Sequence, residues 1–475
     1  MAPRDDSLAD VVVVGAGAAG LGAALEAARR GARVTVLDAT PEVGGTGRTA
    51  GAGTCVAGSG LQAREGITDS PGQALEDWLA WGGPTADEQW AERYLRASVV
   101  DVYERLERLG IEWFGVRRPE GNSVPRWHRP RGGGLAVMRA LEAAARDLPS
   151  VSWALSTRAK ELVTTAGAVR GVVAAGPHGP VEYRGRSVLI ATGGFTNNLR
   201  MVQQHATSAR GADHLLLGGG RGAVGEGHVM LQTVNAQFVN LDAVWMYPYA
   251  TPDHRDPEGR RGLAVRGMEG DLWVGRDGCR FHNEALRGGA TGTPALLGRP
   301  GGTCWSVIDA RLASRLTVAD PYYRNGIEPL RGRIQQLLEE SPFVRSGRTL
   351  TALAAEAGID PDTLVSTVRD SNAAITSGLE TDSWGKPLAG LDPLSEPPFY
   401  AIQLFPMARK NLGGVRTDLD CQVLDLDDNP IPGLFAAGEV AGMAGGHVNG
   451  RAALEGTMLG PSFYSGQVAG RNMVS

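Results

Sequence analysis

The sequence predicts an α/β fold, and three stretches carry that prediction. The first, "DVVVVGAGAAGLGAALEAARRGARVTVLD" (10–38), sets a valine run, a Gly-x-Gly-x-x-Gly spacing, a small-residue helix and a second apolar strand in succession. The others, "SVLIATGGF" (187–195) and "IPGLFAAGE" (431–439), are apolar strands that each end in a glycine turn. Strands without polar alternation are buried on both faces, as in parallel sheets covered by helices.

Taken in order, Val11 to Val14 form the first strand, and Gly15, Gly17 and Gly20 follow at the spacing that lets a backbone approach a diphosphate. The helix begins at about Ala18, packs through Ala23, Ala24, Ala27 and Ala28, and ends at Gly31. Its first N–H groups, around Ala18 and Ala19, face an anion along the helix dipole. Arg33 to Leu37 form the next strand and deliver Asp38, 23 positions after the first glycine, where a carboxylate accepts from a ribose hydroxyl. "PEVGGTGRTAGAG" then offers Gly44, Gly45, Thr46, Arg48 and Gly53 as a second backbone cradle, which suits FAD better than NAD. Thr192, Gly193 and Gly194, and later Gly438 and Glu439, close the remaining strands. Residues 85–110 and 132–147 read as amphipathic helices. The basic stretch "RRPEGNSVPRWHRPRGGG" (117–134) is expected to be irregular, with His128 and Arg129 either lining an entrance or lying in a solvated loop. Gly220, Gly222 and Gly225 repeat the Gly-x-Gly-x-x-Gly spacing, but only three apolar residues precede them, which counts against a pyridine-nucleotide site.

Composition sets the bounds. At 475 residues the chain exceeds the usual span of one core, and its 42 % hydrophobic and 21 % charged residues are those of a globular protein. With 47 Lys and Arg against 52 Asp and Glu, a net charge of -5 and no block of like charge, nucleic acid and anionic membranes are not expected partners; small molecules are. Cys55, Cys279, Cys304 and Cys421 show no metal or disulfide spacing, so no metal site is expected. The absence of a leader-like start or a membrane-length apolar run leads to the expectation of a cytoplasmic protein.

Together these segments resemble the FAD-dependent fumarate reductase and succinate dehydrogenase flavoprotein superfamily, which includes urocanate reductases, tricarballylate dehydrogenase-like proteins and 3-ketosteroid dehydrogenases. The resemblance is strong over 10–70, 187–230 and 397–473. It implies a Rossmann-like FAD-binding domain of the GR2 type built from both chain ends (1–238 and 397–475), with an inserted α+β capping domain (239–396). It further implies that Glu439 bonds the ribityl chain, that backbone at Thr457 to Leu459 faces the flavin pyrimidine, and that backbone at Ala159 faces the adenine. "GRTAGAGTC" lacks the histidine that links flavin covalently in membrane complexes, so FAD is expected to be non-covalent.

The resemblance also supplies catalytic candidates for hydride transfer at a carbon–carbon bond α,β to a carboxylate or carbonyl. "GCRFHNEALRGG" resembles the RFxNE motif and places Arg287 near the family's proton donor. Arg451 in "GGHVNGRAALEG" and Lys410 in "ARKNLGG" stand near its carboxylate clamps, and Tyr247 in "WMYPYATP" replaces the histidine of a His-Pro pair, as in urocanate reductases. The electron donor or acceptor is a further, unidentified partner. A ketosteroid-type dehydrogenase and a flavin electron-transfer subunit are the alternatives.

Overall fold

A computed structural model describes residues 9–176, 179–325 and 328–474. The chain forms two compact units, one of Met1–Ala206, Gly219–Trp245 and Lys410–Ser475, the other of Thr207–Gly218 and Met246–Arg409.

The first unit is built on a parallel sheet. Strand β1 (Ala9–Val14) leads into helix α1 (Ala18–Arg29) and returns as β2 (Val34–Leu37). On one side β2 pairs with β3 (Val151–Ala154); on the other β1 pairs with β4 (Gly179–Ile190), which pairs with β5 (Pro430–Ala436). The valine run sits at the centre, with Val11, Val12 and Val13 fully buried, as a two-faced strand requires. The closing helix α2 (Leu459–Asn472) packs on α1. Contact here requires glycine: a Cβ at Gly466 or Gly470 would overlap the main chain of Ala19 or Ala23. Ala19 meets Gly466 and Ala23 meets Gly470, so the two helices run in the same direction. At 1.5 Å per residue, α2 starts about 9 Å ahead of α1 along that direction.

Two expectations for this unit need correction. The helix expected over 85–110 is interrupted by a π-helical turn at Ser98–Tyr103 between Glu88–Ala97 and Glu104–Arg108. Within the stretch expected to be irregular, Trp127–Pro130 is a strand that pairs with Trp113–Arg117, and His128 is fully buried instead of lining an entrance. Its Nε2 lies 2.6 Å from Ser59 Oγ and its Nδ1 2.8 Å from the Arg126 carbonyl.

The second unit holds a mostly antiparallel sheet in the order Leu272–Val274, Cys304–Ile308, Phe399–Asn411, Val244–Pro252, Gly262–Arg266 and Thr317–Val318. Helices Arg331–Glu340 and Pro361–Thr376 belong to it, and Trp273, Val307, Leu337, Leu364 and Leu404 form part of its core. Among the described residues, no helix is long and apolar enough to cross a membrane and no cluster of His, Cys, Asp and Glu fits a metal.

Candidate active site

In the first unit the glycine turn after β1 is shaped for a diphosphate. Gly15 has φ +107°, and a Cβ there would meet the Ala191 carbonyl. At Gly17, by contrast, a Cβ would meet nothing within 4 Å, and no side chain caps the start of α1. The Gly44–Gly45 turn lies alongside, with Gly44 N donating to Ala16 O at 2.8 Å and a Gly45 Cβ position 3.7 Å from the Gly17 Cα. Asp38 is held from three sides: Oδ2 accepts from Ala16 N at 2.8 Å, and Oδ1 accepts from Thr40 N at 2.8 Å and Thr40 Oγ1 at 2.6 Å. A carboxylate has about four acceptor sites, so one lone pair is left for a ribose hydroxyl.

The other cofactor candidates divide by what they touch. Arg48 donates to the Val43 carbonyl and pairs with Glu42, while Thr46 packs where a Gly220 side chain would sit. Gly53 leaves room for the Trp127 indole, so that contact alone accounts for its glycine. Ala159 is buried on strand Arg158–Thr165. Thr192 and Gly193 end β4, and a Gly194 side chain would overlap Asn411 and Glu439. Gly438, at φ +77°, clears the Ala19 methyl. The Thr457 N–H and hydroxyl are both spent on the Leu454 carbonyl, and its own carbonyl accepts from Asn449 Nδ2 at 3.2 Å. No side chain caps α2, which leaves the N–H groups around Leu459 as the better donors there. The buried amide atoms Asn411 Nδ2 and Asn449 Oδ1 have no partner among the described residues. With the open start of α1, Asp38 and the N–H groups at the start of α2, the donor set fits FAD. The second Gly-x-Gly-x-x-Gly has a different role: Gly220 packs on Thr46, Gly225 on Met201 and Phe195, and Glu226 behind it is taken by Arg158 and Lys160.

In the second unit the strand period of two gathers chemistry that is scattered in the sequence. Tyr247 and Tyr249 lie on one face of Val244–Pro252 and stack with ring centroids 4.9 Å apart. The register that pairs Ala250 with Ala264 carries Arg266 to a position opposite Pro248, and its guanidinium covers both rings at 5.4 and 5.3 Å. Arg266 Nη2 also donates to the Tyr249 hydroxyl at 2.9 Å. Arg409, at the end of the neighbouring strand, lies 5.9 Å from the Tyr247 ring and donates to the Gly218 carbonyl. Arg324 completes the group. Burial lowers its pKa, Asp320 opposes that shift, and the charges of Arg409 and Arg266 add to it, so three guanidiniums stand within electrostatic reach of one another.

Arg287 belongs to the same neighbourhood. Its backbone lies by Pro248 across Gly292, and the Tyr249 oxygen contributes to its electrostatics. Its Nη2 binds the fully buried Asp271 at 2.7 Å and its Nε donates to the Glu284 carbonyl at 2.8 Å, which leaves Nη1 with no bond to the described residues. Burial works against its charge, but Asp271 prevails and holds the pKa above the usual arginine value. Glu284 itself is gripped by Arg280 at 2.7 Å and Lys386 at 3.2 Å, so the RFxNE motif is a buried charge lattice that fixes the Arg287 backbone.

The remaining two candidates lie in the first unit. Lys410 is half-buried on the strand Phe399–Asn411, and Arg451 is exposed and paired with Asp242. Sequence reading missed Arg266, Arg324 and Asp271. The tyrosine alternation was visible, but the strand register that brings these residues to it was not.

Comparison with known proteins identifies the family and the fold. A family profile described as an FAD binding domain matches residues 10–459. A KsdD-like steroid dehydrogenase of Mycobacterium tuberculosis (strain ATCC 25618 / H37Rv) is 31 % identical, over 98 % of this chain and 95 % of the relative. A probable fumarate reductase of Shewanella frigidimarina (strain NCIMB 400) is 30 % identical, over 97 % of this chain and 74 % of the relative. The open conformation of a flavocytochrome c3 fumarate reductase superposes with a TM-score of 0.77 at 28 % identity, covering 100 % of this chain and 79 % of that one. The chain thus belongs to the FAD-binding flavoprotein family of fumarate reductases and ketosteroid dehydrogenases, and it is an FAD-dependent oxidoreductase acting on carbon–carbon bonds.

Proposed function

We propose that this enzyme desaturates or reduces a small organic acid at the bond α,β to its carboxylate, with FAD held non-covalently. One observation supports the acid over a neutral substrate: Arg266 and Arg409 stand over the stacked pair Tyr247–Tyr249, and Arg324 lies near enough to both arginines to feel their charges. Like charges held together at a cost in pKa are stabilised when an anion enters, and guanidinium forks match carboxylate geometry.

When bound, FAD supplies hydride exchange with the β carbon of the substrate. The chain's residues do the rest. The arginine group binds the carboxylate and withdraws charge from the double bond. Tyr247 orients the acid through its ring and hydroxyl. Arg287, with two of its nitrogens fixed, presents Nη1 to the substrate and handles the proton at the α carbon. Lys410 and Arg451 are assigned to substrate orientation.

A ketosteroid-type activity is the second reading, favoured by the near-complete coverage of the steroid dehydrogenase relative. Anaerobic photoreduction of the purified protein, followed by addition of unsaturated acids and of steroid enones, separates the two. Recovery of oxidised flavin absorbance with acids supports the proposal; recovery with enones alone replaces it with the steroid reading.

A further inference from the structure

Asn411 is completely buried, and its amide is held at one end only. Oδ1 accepts from Phe195 N at 2.7 Å, which fixes which end of the amide is oxygen, since that N–H needs an acceptor. The Asn411 backbone N donates to Glu439 Oε1 at 3.0 Å. A side chain at Gly194 would overlap both Asn411 Oδ1 and Glu439 Oε1, so three segments meet here: the turn after β4, the end of Phe399–Asn411 and the Gly438–Glu439 turn. The remaining group, Nδ2, carries two N–H donors and has no acceptor among the described residues. A buried amide left this way costs stability unless something outside the chain accepts from it.

We propose that Asn411 is a cofactor-binding residue whose Nδ2 donates a hydrogen bond to FAD beside Glu439. The same amide sets the Phe195 main chain, so one side chain ties the cofactor to the turn at Thr192–Gly194. This assigns Asn411 a role apart from the cationic Arg409 and Lys410 that precede it, and it holds whichever substrate the enzyme takes.

The test is Asn411→Asp in the full-length holoprotein, with Asn411→Leu beside it. Aspartate keeps an acceptor for Phe195 N but offers no N–H to the cofactor; leucine removes both. FAD release on dilution is followed by recovery of flavin fluorescence, and melting temperature is measured with FAD bound and after FAD is stripped. The expected result for N411D is FAD affinity weakened about tenfold or more, with the FAD-free melting temperature close to that of the parent. N411L is expected to lose affinity similarly and to melt lower in both forms, and it carries the affinity test if N411D does not fold. Affinity within twofold of the parent in the folded variants would overturn the proposal and leave Nδ2 to a buried water. So would equal losses of melting temperature with and without FAD.

Discussion

Arg287 Nη2 lies 2.7 Å from Oδ1 of Asp271, a carboxylate with no exposure to solvent. Burial disfavours the Asp271 charge, but Arg287, Lys386 and Ser306 together hold its pKa below the usual carboxylate value. Removing one partner of such a pair leaves the other charge stranded, at a cost of about 3–5 kcal/mol. Asp271→Asn is therefore expected to lower the unfolding free energy by about that amount, measured by urea denaturation. Arg287→Lys is milder: lysine can keep a charge near Asp271 but cannot also reach the Glu284 carbonyl. It is expected to lower kcat about 100-fold with flavin content unchanged.

The arginine group makes a prediction that separates binding from chemistry. Arg324→Gln and Arg409→Gln each remove one charge from the anion seat while leaving both tyrosines in place. Each is expected to raise KM for an acid substrate about tenfold while kcat falls less, and added salt is expected to raise the parent's KM further than either variant's. Equal KM values across the three proteins would remove this cluster from the substrate site.

The crossing of α1 and α2 depends on Gly22 of α1 and on Gly466 and Gly470 of α2. Gly466→Ala places a methyl against the Ala19 carbonyl, and main chain cannot yield as a side-chain tip can. The expected loss is about 1–3 kcal/mol. Because that crossing sets both helix starts, FAD affinity should fall with it. A variant as stable as the parent would show that the helices tolerate wider spacing.

His228 is buried among Phe195, Phe238 and His205, with neither ring nitrogen bonded. Burial, aided by the His205 charge, pulls its pKa down to about 4. A folded-state value below the unfolded 6.5 means that the unfolded chain binds more protons as pH falls. Stability is therefore full above pH 6.5 and is lost progressively towards pH 4, by up to roughly 3 kcal/mol. His128, also pulled down to about 4 by burial, contributes in the same sense. His228→Phe removes two unbonded nitrogens, so stability at pH 7 is expected to hold or to rise by about 1 kcal/mol, with roughly half the acid sensitivity gone. Melting temperatures from pH 7 to pH 4 check this.

The readable parts of this protein were the local ones. The β1–α1–β2 unit is contiguous, and each step has its own signal: a valine run for a two-faced strand, glycines where α1 begins, and Asp38 where β2 ends. Asp38 is held by neighbours within its own turn and by Ala16, so its geometry follows from that same stretch. The arginine group had no such signal. Arg266 reaches Tyr247 and Tyr249 through strand register, and Arg324 is separated from Arg409 by more than eighty positions. Asp271 carried no signal in the sequence, because its role comes from its own burial beside Arg287. His128 misled for the opposite reason: a basic, proline-rich context suggested exposure, but pairing of Trp127–Pro130 with Trp113–Arg117 turned its ring inward.

The central claim, that the substrate is held by its negative charge beside the tyrosine pair, is tested most directly by a matched pair of compounds. An α,β-unsaturated acid that reoxidises the photoreduced protein is compared with its primary amide, which keeps the skeleton and the polarised double bond but loses the charge. The account predicts reoxidation by the acid at least tenfold faster at low salt, with the gap narrowing as ionic strength rises. Equal rates for acid and amide at every salt concentration would contradict it.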